Sequence, residues 1–128
     1  MAEADLPAVH ERLKAILAPH ADRFAVREGD GGTVLELPEA TGKPWGFVAG
    51  TRLGKRYVSF YLMAVYARPQ LLDGMSPALR AHMQGKSCFN FNGVDDALLA
   101  ELSALTDRVI DCHRQFVEPI IEARTRKR

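Results

Sequence analysis

One run of strand-forming residues near the middle of the chain constrains the fold more than any other segment. Residues 56–65 are rich in aromatic and β-branched side chains, which favour a pleated strand. Because side chains alternate across a strand, this run has one apolar face and one face with polar groups. The apolar face carries Val58, Phe60 and Leu62, and the other carries Tyr57, Ser59, Tyr61 and Met63. We therefore predict a strand with one face beneath helices and one face open.

A second strand of the same kind is predicted at residues 86–91. Its phenylalanines, Phe89 and Phe91, belong to the core face, and its other face carries a lysine, a thiol and an amide. If the two strands are neighbours, their polar faces join into one surface, and phenols with a polar handle favour binding there. The predicted ligand-binding residues are Tyr57, Ser59, Tyr61, Lys86, Cys88 and Asn90. A solvated sheet face with ordinary cross-strand pairs is the alternative.

The other segments predict a helix at each end of the domain and two hairpins between them. Asp5 caps a helix at residues 6–18, and Asp95 or Asp96 caps a C-terminal helix that Pro119 ends or kinks. The predicted hairpins pair 24–28 with 33–37 and 45–52 with 56–65, and short helical turns are expected at 69–73 and 77–84. This order predicts an α+β two-layer sandwich, with an antiparallel sheet of about five strands and the N- and C-terminal helices on one face.

Length and charge limit the classes of protein to consider. The chain has 128 residues and a formal net charge of +1, so we predict a single domain at 1–122 with a basic tail at 123–128. A chain with so little net charge has no overall electrostatic attraction for nucleic acid, so nucleic acid is not expected as a partner. Residues 1–15 do not resemble a secretory signal and the longest apolar run is about half of the ~20 residues that span a bilayer, so a cytoplasmic location without a membrane partner is predicted.

Residues with reactive or charged side chains give weaker signals. The histidines are scattered without metal-site spacing, so neither a metal nor another cofactor is predicted. Cys88 and Cys112 are expected to be reduced, although a redox pair between them is an alternative, and Cys88 with His82 is the one candidate for nucleophilic catalysis. A small basic cluster at the second hairpin turn is a candidate for anion binding and comprises Arg52, Lys55 and Arg56.

Three segments of the chain resemble the YdhG-like family of small bacterial domains of unknown function. They are Leu53-Gly-Lys-Arg-Tyr-Val-Ser-Phe-Tyr-Leu-Met-Ala-Val-Tyr66, Pro69-Gln-Leu-Leu72 and Met83-Gln-Gly-Lys-Ser-Cys-Phe-Asn-Phe91. The resemblance covers residues 42–110 and implies an α/β two-layer sandwich. Some members are labelled frataxin-like iron chaperones, which implies clustered carboxylates. The predicted first helix instead mixes acidic and basic residues.

Three functional hypotheses follow. The first is a non-enzymatic binding or interaction domain, whose open sheet face holds a small molecule or a second copy of the chain as a homodimer. The second is an iron-binding or iron-delivery protein, as the family resemblance implies. The third is a thiol-dependent enzyme that uses Cys88.

Overall fold

The computed structural model describes residues 5–29, 31–38, 46–67, 69–85 and 87–111. These residues form four α-helices and six strands, joined in part by short 3-10 helices. In chain order the elements are α1 (Leu6–Leu17), β1 (Ala25–Gly29), β2 (Gly32–Glu36), β3 (Phe47–Leu53), β4 (Val58–Leu62), α2 (Met63–Ala67), α3 (Pro77–Arg80), β5 (Met83–Gln84), β6 (Cys88–Phe91) and α4 (Asp96–Asp111). The 3-10 helices are Ala18–Arg23 and Pro69–Leu72.

The strands form one antiparallel sheet in the order β1-β2-β3-β4-β6-β5. Both predicted hairpins are present as β1–β2 and β3–β4. The pairing of β4 with β6 is also antiparallel and places Phe60 opposite Phe89. The predicted α+β sandwich is therefore confirmed, and the strand that carries the phenols lies beside the strand that carries the thiol.

The core lies between one face of the sheet and the helices α1 and α4. Asp5 caps α1 by accepting a hydrogen bond from the amide of Ala8, and the helix buries one apolar stripe against β3, β4 and α4. That stripe is Val9, Leu13, Ile16 and Leu17. Arg12 reaches Asp96 at 2.7 Å and joins the two helices at their exposed edge. Both long helices contact one face of the sheet, and the opposite face, which carries Ser59 and Tyr61, is the face that the sequence predicted to be open.

Two predicted segment ends are wrong. Residues 63–65 were expected to extend the central strand but begin α2, directly after Leu62, which makes the last pair of β4 with Ala49 of β3. The helical turn expected at 77–84 ends at Arg80, and the last two of its residues form β5. The open edge of β6 recruits them, so the described sheet has six strands and not about five.

Some predictions concern residues outside the described ranges. These are Trp45, Lys86, Cys112, Pro119 and the tail at 123–128. Among the described residues, no helix combines the length and the apolar character needed to cross a membrane.

Candidate functional site

The open face of the sheet carries four of the six predicted site residues in two cross-strand pairs. Ser59 lies opposite Asn90 and Tyr61 lies opposite Cys88. Tyr57 precedes β4 and is 43% exposed, whereas Phe60 and Phe89 are fully buried on the helix side. The alternation predicted from the sequence is confirmed for both strands. Lys86 lies outside the described residues.

The side chain of Asn90 organises a polar network on the β6 side of this face. Its Oδ1 atom accepts a hydrogen bond from Ser59 Oγ at 2.8 Å and another from Cys88 Sγ at 3.4 Å. Its Nδ2 atom donates to Gln84 Oε1 at 3.2 Å. The polar capacity of Asn90 is therefore largely used within the sheet, where it fixes β5, β6 and β4 relative to one another.

The thiol of Cys88 is protected and not activated. Burial raises the pKa of Cys88, while hydrogen bonds with Ser59 and Tyr61 act in the opposite direction. His82, its predicted catalytic partner, has other contacts: Nδ1 lies 2.8 Å from the carbonyl oxygen of Asn90, to which it donates, and the ring stacks on Phe91. These contacts give His82 a structural role at the β5–β6 edge.

On the same face, but toward β3, a concave hollow of ≈ 740 Å³ lies next to the β3–β4 turn. Its lining combines three cations, two phenols and a hydroxyl. The side chains concerned are those of Arg52, Lys55, Arg56, Tyr57, Tyr61 and Ser59. The register explains this grouping, because Arg52 lies directly opposite Ser59 and the tight turn brings the ends of β3 and β4 together. The basic cluster and the phenols, considered separately in the sequence, share one site.

The three cations of this hollow have no ion-pair partner among the described residues. Arg52, Lys55 and Arg56 are all exposed. Among the described strand residues of this face, the acidic side chain is Glu36. It is 2% exposed and accepts a hydrogen bond from Arg27 at 3.0 Å. The hollow is therefore locally positive although the whole chain is almost neutral.

A second hollow, of ≈ 430 Å³, adjoins the first and shares Arg52 and Tyr61 with it. The rest of its lining comes from β2 and β3 and comprises Val34, Phe47 and Thr51 with Gly32 and Gly50. Sequence reasoning missed this half of the site. A glycine inside the strand predicted at residues 45–52 was an available signal, since such a glycine often marks a close approach of another group.

The described residues contain no group of three or more histidines, cysteines, aspartates or glutamates placed to hold a metal ion. This part of the chain therefore offers no support for the iron hypothesis.

Comparisons with known proteins give no relative for this chain. No family model matches it. Neither the curated proteins nor the solved structures show a match. The YdhG-like resemblance accordingly stays a prediction.

Proposed function

We propose that this protein is a small ligand-binding domain that holds an anion in the ≈ 740 Å³ hollow on the open face of its sheet. The observation that carries the proposal is the grouping of two phenols around one concavity with three cations that lack an ion-pair partner among the described residues. Ligand sites are typically concave, with a few polar groups among apolar ones and volumes of about 300–1,000 Å³. The cytoplasmic location predicted from the sequence suits such a role and stays a prediction.

The charge of the hollow favours an anionic ligand over a second copy of the chain. A two-fold contact centred on the hollow would bring Arg52, Lys55 and Arg56 of both copies together, and like charges facing each other oppose association. A small oxyanion instead receives donors from two guanidinium groups and one ammonium group. Guanidinium groups pair well with phosphate and carboxylate because their planar donors match the geometry of the oxygens.

Calorimetric titration with pyrophosphate tests this proposal. The wild-type chain should bind it, and Arg52→Ala should weaken binding by at least about tenfold, because a charged hydrogen bond contributes about 1.5–3 kcal/mol. Arg80→Ala is the matched control, since Arg80 is also exposed but lies on α3, away from the hollow. Binding should also weaken as salt is added, because exposed charges are screened.

Two results would contradict the proposal. The first is equal pyrophosphate affinity for wild type and the Arg52→Ala variant. The second is binding of single-stranded RNA whose affinity grows with length, since a small-ligand site has no reason to favour a long polymer. Sedimentation should show a monomer without ligand, and a dimer that Tyr57→Asp dissociates would favour self-association instead.

A further inference from the structure

A glycine and the aromatic ring that lies close to it form the floor of the apolar hollow beside the cationic one. Gly50 lies on β3 between Val34 of β2 and Tyr61 of β4, all on the open face of the sheet. A β-carbon at residue 50 would lie 2.8 Å from the carbonyl oxygen of Thr33 and 3.1 Å from Cε1 of Phe47. Without that carbon, the Phe47 ring lies close against the sheet and the space above it remains open.

Two aromatic rings form a corner of this hollow. The centroids of Phe47 and Tyr61 are 6.1 Å apart and their planes meet at 75°. Such an edge-to-face pair presents one ring face and one ring edge to a third group, and aromatic groups pack well in either arrangement. With Val34 at the side, the hollow suits a flat apolar ring better than a branched or charged group.

Arg52 connects the two hollows. It follows Gly50 by two residues on β3, so both residues face the same side at a separation of about 7 Å along the strand. A ligand with its ring over the Phe47–Tyr61 corner would therefore place an attached group beside Arg52. Lys55 and Arg56 lie beyond Arg52, in the cationic hollow.

We infer that the ligand is an aromatic phosphate of about mononucleotide size, with its ring in the apolar hollow and its phosphate among Arg52, Lys55 and Arg56. This inference rests on the proposed function, because it requires that the cationic hollow binds an anion. It adds that the adjoining hollow supplies affinity for a ring. The two contributions can be measured separately.

Titration with AMP and ribose 5-phosphate separates the ring from the phosphate, since the two probes differ by the base alone. AMP should bind at least about tenfold more tightly than ribose 5-phosphate, and adenosine, which lacks the anion, should bind more weakly than AMP. Pyrophosphate serves as the parallel probe of the cationic hollow. If pyrophosphate binds through Arg52 while AMP binds no better than ribose 5-phosphate, this inference is wrong and the proposed function stands. If none of the anions binds, both are wrong.

A variant that fills the apolar hollow gives a second test. Val34→Trp should reduce AMP affinity to that of ribose 5-phosphate and leave pyrophosphate affinity unchanged. The control is Val26→Trp, because Val26 lies on the neighbouring strand β1, is 46% exposed and faces the helix side. If Val34→Trp lowers the melting temperature, Phe47→Leu is the alternative variant, because Phe47 lines the apolar hollow and not the cationic one, and the same loss is expected. Unchanged AMP affinity in a folded variant would overturn the inference.

Discussion

The Nε2 atom of His10 lies 2.7 Å from the Oγ1 atom of Thr51, so a side chain of α1 is hydrogen-bonded to the central strand β3. Both residues are buried. Burial is the main cause that lowers the pKa of His10, and the nearby charge of Lys14 lowers it further, whereas Glu11 and Glu28 act in the opposite direction. The neutral imidazole is therefore the form that the fold stabilises.

The stability of the protein should depend on pH through His10. The pKa is lower in the folded chain than its ordinary value of 6.5, so the unfolded chain binds more protons below that pH. The stabilisation is complete above about pH 6.5 and is lost as the pH falls toward the folded pKa. Urea unfolding at about pH 7.5 and about pH 5.5 should show a smaller decline for His10→Leu than for wild type.

Thr51→Val tests the same hydrogen bond between His10 and Thr51 from the side of the strand. It keeps the imidazole but removes its partner, and we expect a loss of about 1–3 kcal/mol at neutral pH, because a buried polar group is left unsatisfied. Identical pH dependence in wild type and His10→Leu would show that His10 does not titrate with unfolding.

Replacing Gly50 with alanine should destabilise the sheet. The new β-carbon would lie 2.8 Å from the carbonyl oxygen of Thr33, and backbone on a central strand cannot easily move away. We expect a loss of about 1–3 kcal/mol in the free energy of unfolding, as for other overpacked sites. Gly29→Ala is the matched control, since no atom lies within 4 Å of its added carbon. Equal stability of the two variants would mean that β2 and β3 are not as close as the structure shows.

Cys88 should react slowly with iodoacetamide at neutral pH, because burial raises its pKa and the thiolate is the reactive form. The Cys112→Ser variant leaves Cys88 as the single thiol of the chain, and mass spectrometry then gives its rate. The rate should be lower than that of the same thiol in urea and should rise with pH. A faster reaction in the folded chain would instead favour the thiol-dependent enzyme.

The sequence predicted the two central faces well because alternation in a strand needs no knowledge of distant contacts. Val58 and Phe60 on one side and Ser59 and Tyr61 on the other follow directly from the period of two. The sequence analysis assumed that the strands at 56–65 and 86–91 are neighbours, and the pairing of β4 with β6 confirms this.

The apolar half of the candidate site was not predictable in the same way. It depends on the register of β2 against β3, which shifts between Leu35 and Glu36 and brings Phe47 opposite Glu36. Such a shift is set by tertiary packing and leaves no local pattern. The end of β4 was not predicted either, because the strand-forming composition continues to Val65 whereas the backbone enters α2 at Met63.

The strand order has a consequence for how the molecule assembles. The first four strands pair in chain order, so this meander needs only short loop closures, which are fast. β6 must instead return across α2 and α3 to reach β4, and His20 near the start of the chain contacts Asp107 of α4, which follows it by 87 residues. During synthesis, the meander that carries both hollows is complete before the helix that seals the core beneath it leaves the ribosome.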